Sequence, residues 1–235
     1  EVTASVTTGL RTEQAFRDRA AKAYAAYAGP FKKRFKWLPS SLFMPDLPKH
    51  LFDDAAALMG VLKHCGDWLP ARDAKLAELA KLIKTSHRKE KVLVFTQFAD
   101  TARYIKTQLV AMGVTQIEDA TGSSADPTSL AWRFSPESNK KLDRVAPGEA
   151  LRVLIATDVL SEGQNLQDAH IVVNYDLPWA IIRLIQRAGR VDRIGQQSDQ
   201  ILCYSFIPAD GVERLISLRA RISRRLGEQA SVVGS

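Results

Sequence analysis

From Asp73 onward the chain alternates between two hydrophobic periods. Leu76, Leu79, Leu82 and Ile83 recur at helical spacing with lysines opposite, which predicts an amphipathic helix over 73–84. VLVF, residues 92–95, follows as a short continuous apolar run, the pattern of a parallel strand covered on both faces. Asp100 opens a helix that runs through Gln108 and ends at Gly113. Residues 115–120 predict a second strand, TGSSADPTS a turn, and a helix carrying Leu130, Trp132 and Phe134 comes next. Residues 135–148 are polar and proline-bounded, as in a surface loop. LRVLIATD and AHIVVNYD then predict two more buried strands, each ending in a carboxylate. A helix over 179–190, a last strand in ILCYSFI and an amphipathic helix over 211–226 follow, the last with Arg214, Arg219, Arg221, Arg224 and Arg225 on its polar face.

Strands alternating with helices at these intervals predict an α/β doubly wound sheet. Ligands gather at the carboxyl ends of strands in such sheets. Thr96-Gln97, Thr121-Gly122 and Thr157-Asp158 each stand just past a predicted strand, so they should share one edge.

Ahead of Asp73 the pattern is helical and less regular. Thr12 is placed to cap EQAFRDRAAKAYAAYA, which Gly29-Pro30 stops. FKKRFKW, residues 31–37, interleaves basic and aromatic residues. Lys32, Lys33, Arg34 and Lys36 could track a nucleic-acid backbone beside stacking platforms, or simply stand in solvent above core aromatics. Pro39, Pro45 and Pro48 mark 38–48 as a linker, and Asp53 to Leu62 predicts a second helix. This divides the chain into a helical segment and linker (1–72), a main α/β domain (73–210) and a basic C-terminal helix (211–235).

At 235 residues and 46% hydrophobic, the chain can bury a sizeable core. Its net charge of +7 favours a polyanionic partner, nucleic acid first. Cys65 and Cys203 lack metal-ligand spacing and read as ordinary thiols of a reducing compartment. His64 beside Cys65 has no second ligand pair. No apolar run approaches the roughly 20 residues of a membrane span, and no signal peptide opens the chain. A cytoplasmic piece of a longer protein is expected.

The sharpest chemistry lies in QRAGRVDRIGQ, which begins at Gln186. Arg183, Arg187 and Arg190 follow four- and three-residue steps and share one helical face, with Arg193 just beyond. Stacked like charges are locally unfavourable, so something anionic should lie opposite. This run resembles motif VI of the superfamily-two helicases, in the DRIGQ form of SWI/SNF-like translocases. IATDVLSEGQNLQ, residues 155–167, resembles motif V, and VLVFTQFADTARYI, residues 92–105, resembles motif IV. The three occur in the family's order across residues 91–206, about half the chain.

The resemblance implies a RecA-like parallel sheet flanked by helices, preceded by a helical segment. It also implies an ATP-dependent motor that moves on nucleic acid, most simply double-stranded DNA. Arg190 and Arg193 match the arginines that reach ATP phosphates across an interdomain cleft, and Gln186 matches the glutamine at that cleft. Permanently charged, forked guanidinium groups suit phosphate oxygens. Gly163 and Asn165 match motif V positions that approach the nucleotide. Thr96, Gln97, Thr121, Gly122, Thr157 and Asp158 fall where the family meets a nucleic-acid backbone. Gly122 could equally be a plain turn glycine, and Asp192 reads as a salt-bridge partner for its neighbouring arginines. SEGQNLQ stands where eukaryotic remodellers carry a glycine-rich run, which is closer to bacterial relatives.

No G-x-x-x-x-G-K-[ST] phosphate loop and no DEAH-like acidic box occurs in this sequence. The phosphate cradle and Mg2+ ligands are therefore expected in an N-terminal RecA-like lobe of the same protein, and the fragment alone is expected to be inactive. Two alternatives remain: a strand-separating helicase or restriction and defence motor, and a non-catalytic docking module. An intact Arg190/Arg193 pair argues against the second.

Overall fold

The computed structural model describes residues 12–34, 36–146, 148–158, 164–178, 180 and 182–207. The chain divides into two units at Trp68/Leu69. The first carries α1 (Glu13–Ala28) and α2 (Leu47–Cys65). Thr12 caps α1 by accepting from the Ala15 N–H at 3.2 Å, and Gly29 ends it, as its sequence predicts. Helix α2 is longer than the 53–62 read from the sequence: it starts before Pro48, within the stretch assigned to a linker. A proline in the first helical turn gives up an N–H that has no helical acceptor there, so it marks the start of a helix. Neither helix has a buried residue. In the 31–37 stretch, Trp37 meets Tyr24 edge-on at 6.0 Å and Arg34 covers the Phe31 ring.

The second unit is built on a five-stranded sheet. Its strands are β1 (Val92–Phe95), β2 (Ile117–Ala120), β3 (Val153–Ala156), β4 (Ile171–Asn174) and β5 (Leu202–Ser205). All neighbours are parallel, in the order β2-β3-β1-β4-β5. The helices are α3 (Ala74–Lys81), α4 (Ala99–Ala111), α5 (Pro127–Phe134) and α6 (Ile182–Ala188). Asp73 caps α3, and its apolar stripe continues into a π turn over Leu82–Ser86 that keeps Ile83 buried. The 211–226 helix expected from the sequence lies outside the described residues.

Two cores flank the sheet. On one face, Val92, Val94, Val153, Ile155, Ile171 and Val173 pack against Leu76, Leu79 and Ile83 and against Ala102, Ile105 and Leu109 of α4. On the other, Leu93, Phe95, Leu154, Ala156 and Val172 meet Ala131 and Phe134 of α5 together with Leu166 and Val191. Burial on both faces explains why the central strands read as unbroken apolar runs. This is the α/β sheet flanked by helices that the sequence implied. Because β1, β2 and β3 end in register at Phe95, Ala120 and Ala156, Thr96, Thr121 and Thr157 leave the sheet side by side on one edge.

Leu79 has no exposed surface, so Leu79→Ala should lower the stability of this unit by about 2–5 kcal/mol. A urea-denaturation midpoint close to the parent value would show that α3 is not part of its core.

Candidate nucleotide and nucleic-acid site

The arginine row opens with an internal ion cluster. Asp158, just past β3, receives Arg183 Nη1 on one carboxylate oxygen at 2.9 Å and Arg187 Nε on the other at 3.0 Å. The anion opposite this part of the row is therefore a carboxylate of the chain itself. Arg187 is only 2% exposed. Its Nη1 donates to Asn174 Oδ1 and to the Asp176 carbonyl, both at 3.2 Å, and its guanidinium lies 5.2 Å from the centre of the Phe95 ring. A charge this deep is tolerable only with such partners.

Arg193 stands outside that cluster. Its Nε donates to the Gly189 carbonyl at 3.2 Å, and its Nη1 to the Gln164 carbonyl at 3.2 Å and Asn165 Oδ1 at 3.3 Å. Nη2 makes no hydrogen bond to any described residue. Among the described residues, one side of the fork is fixed and the other is uncommitted. Asn165 and Arg193 are thus brought together. Arg190 is partly buried beside them in sequence, Gln186 is exposed on α6, and Gly163 lies outside the described residues.

The loop that carries Arg193 is braced by Gln196, whose Nε2 donates to the Ala169 and Val191 carbonyls, each at 2.9 Å. Gly195 there has φ +99°, a backbone region that L side chains rarely adopt. Asp192 is exposed and forms no salt bridge with a described arginine, so the orienting role read from the sequence is corrected. Asp158 takes that role through the sheet register.

Along the strand-end edge the predicted residues differ in what they present. Thr96 is fully buried, and its hydroxyl donates to Asp176 Oδ2. The Gln97 N–H donates to the same oxygen at 3.2 Å, while the Gln97 side chain is exposed. Lys75 of α3 closes this group on Asp176 Oδ1 at 3.2 Å. Thr121 is buried with its hydroxyl 3.0 Å from Ser123 Oγ, and Arg103 Nη2 donates to that serine at 2.6 Å. Gly122 is exposed, with open space where a Cβ would stand. Thr157 is half-buried, its N–H on the Ala120 carbonyl at 3.0 Å.

Behind β1, burial pushes the Lys91 ammonium below its ordinary pKa, opposed by Asp168 and Glu137. Lys91 Nζ donates to the Phe134 and Leu151 carbonyls at 2.5 and 2.9 Å. Burial, with the Asp73 carboxylate next, raises the Tyr175 phenol well above its ordinary value.

Sequence reasoning passed over Asp176, Asn174, Gln196 and the burial of Arg187. The carboxylates closing LRVLIATD and AHIVVNYD were the one available signal. Asp158→Ala would leave Arg187 in the interior without its carboxylate, and a stability loss of about 3 kcal/mol is expected in chemical denaturation. Arg183→Ala removes only the exposed partner and should cost about 1 kcal/mol or less. Equal effects of the two would contradict this division.

Comparison with known proteins agrees with this architecture. Residues 74–195, just over half the chain, match the family described as the helicase conserved C-terminal domain. An uncharacterized ATP-dependent helicase of Bacillus subtilis, YqhH, is 34% identical over 130 residues, covering 54% of this chain and 20% of its own length. The ATP-dependent RNA helicase DBP8 of Kluyveromyces lactis is 30% identical over 164 residues, covering 67% of this chain and 37% of its own. The chain therefore spans well under half the length of these curated relatives. The C-terminal part of the Fun30 ATPase domain superposes with a TM-score of 0.50 at 20% identity, over 72% of this chain and 52% of that one, a likeness of fold. With its parallel sheet and its arginine-bearing α6 segment, the chain belongs to the helicase conserved C-terminal domain family.

Proposed function

We propose that this chain is the C-terminal motor lobe of an ATP-dependent translocase of the SWI/SNF-like, bacterial type, acting on double-stranded DNA. One observation carries the reading. Arg193 is held on Nε and Nη1 by Gly189, Gln164 and Asn165, with Nη2 uncommitted among the described residues. A guanidinium fixed in advance can meet the charge that develops on a transferring phosphoryl group without reorganising at the moment of reaction.

In this reading ATP is bound between this lobe and an N-terminal RecA-like lobe. Arg190 and Arg193 approach its phosphates from this side, with Gln186 and Asn165 at the same cleft. The groups gathered here are guanidiniums, which neutralise phosphate, and amides, which can donate hydrogen bonds to it. Mg2+ prefers carboxylate and water oxygens, so its ligands are assigned to the other lobe. Held there, Mg2+ would supply positive charge to offset that of the phosphates. Closure of the lobes on ATP and reopening after hydrolysis would step the protein along its track.

Gln97, Gly122, Ser123 and Thr157 would meet that track at the strand-end edge. Hydroxyl and N–H groups bind phosphates without reading bases, so binding should tolerate sequence and weaken with salt. Buried Thr96 and Thr121 would act by holding this edge in shape. Similarity to an RNA helicase makes RNA the competing substrate.

The test is ATP turnover by the full-length protein with double-stranded DNA, with RNA and with neither. Stimulation by DNA is expected, and Arg193→Ala should lower turnover by on the order of 10³-fold or more. Stimulation by RNA alone would reassign the track. Turnover indifferent to Arg190→Ala and Arg193→Ala would remove the motor reading.

A further inference from the structure

The loop over 135–148 is attached to the residues that hold Arg193. Asn139 Nδ2 donates to the Ser135 carbonyl and to the Asn165 carbonyl, both at 2.7 Å. Asn165 Nδ2 in turn reaches the Ser138 carbonyl at 3.5 Å, which orients the amide so that Oδ1 faces Arg193 Nη1 at 3.3 Å. Asp168 secures the start of the loop. Its Oδ2 accepts the Glu137 N–H at 2.9 Å, and its Oδ1 accepts the Ser138 N–H at 2.9 Å and the Ser138 hydroxyl. A polar loop that ought to be free at the surface thus has both amide protons of one asparagine committed.

We propose that Asn139 is a positioning residue for Arg193, acting through Asn165, with Asp168 anchoring the loop that presents it. The inference rests on the motor reading above. Asn139 touches no reacting atom. By fixing the Asn165 main chain and, with Ser138, its amide plane, it sets the direction in which the Arg193 fork points. Neutral hydrogen bonds suit this task, because they fix geometry without adding charge beside a phosphate.

The prediction separates positioning from mere structural support. In the full-length protein with its stimulating nucleic acid, Asn139→Ala should lower kcat by about ten- to a hundredfold, the scale of an ångström-level misplacement. KM for ATP should stay within about twofold, because a group felt only in the transition state changes kcat. Combined with Arg193→Ala, Asn139→Ala should slow the enzyme by less than about twofold more, since its effect passes through that arginine.

Equal slowing of the parent and Arg193→Ala proteins would overturn the proposal, as would parental kcat in Asn139→Ala. If the alanine variant does not fold, Asn139→Leu keeps the bulk, removes the donors without adding charge and carries the same test. Failure of Arg193→Ala itself to slow turnover would instead remove the motor reading, so the two failures are distinguishable.

Discussion

One buried cation organises the active face of the α/β unit. Arg187 comes from α6, yet its partners come from three strands: Asp158 follows β3, Asn174 ends β4, and Phe95 ends β1. Taking a guanidinium out of water costs several kcal/mol, offset here through Nε and Nη1, while the buried Nη2 has no hydrogen-bond partner among the described residues. The register β3-β1-β4 and the placement of α6 are therefore conditions of one another. A one-residue slip in any of these strands would turn a partner away and leave the charge unmatched. Arg190 and Arg193 follow α6 directly, so this contact fixes where their segment begins, and Gln196 and Asn165 hold it further on.

The arginine row also shows how one residue type at regular spacing divides into different roles. Arg183 and Arg187 are one helical turn apart and would repel each other, but Asp158 gives one oxygen to each. Arg183 shares that carboxylate from a half-exposed position, where water weakens the bond. Arg187 shares it from the interior. Arg193 is held by neutral oxygens alone among the described residues, so no carboxylate bonded to it there competes with an incoming anion. That is the property the proposed phosphate contact requires.

The central strands and most helices could be read directly from the chain, because burial on both faces leaves short apolar runs in β1, β3 and β4 and the helices packed on them leave a 3.6-residue stripe. The shared edge of Thr96, Thr121 and Thr157 was legible for the same reason. The extent of α2 was not, since Pro48 looks the same as a linker residue and as a residue of a first helical turn. Periodicity showed that Arg183, Arg187 and Arg190 share a face. What that face meets depends on register between strands far apart in sequence, so the row looked turned toward a ligand when its first part is turned toward Asp158. Asp192, adjacent in sequence, was the easy partner to name and the wrong one. Asn139 left no signal at all: it sits in a polar loop and earns its place through a contact 26 residues away.

The two carboxylates that follow β3 and β4 do related work. Asp158 gathers arginines, and Asp176 gathers Thr96, the Gln97 N–H and Lys75. They are joined through Arg187, which bonds the Asp158 side chain and the Asp176 main chain with different nitrogens. The strand-end edge and the arginine segment are thus linked by consecutive hydrogen bonds around a buried ion. Such a chain has one good arrangement and no evident second one, and coupling between sites needs an element with two states. Under the proposed function, this lobe would then transmit position without switching internally. The two-state step would lie in the approach and retreat of the lobes, with Arg187 keeping the phosphate-facing and nucleic-acid-facing surfaces in fixed relation as they move.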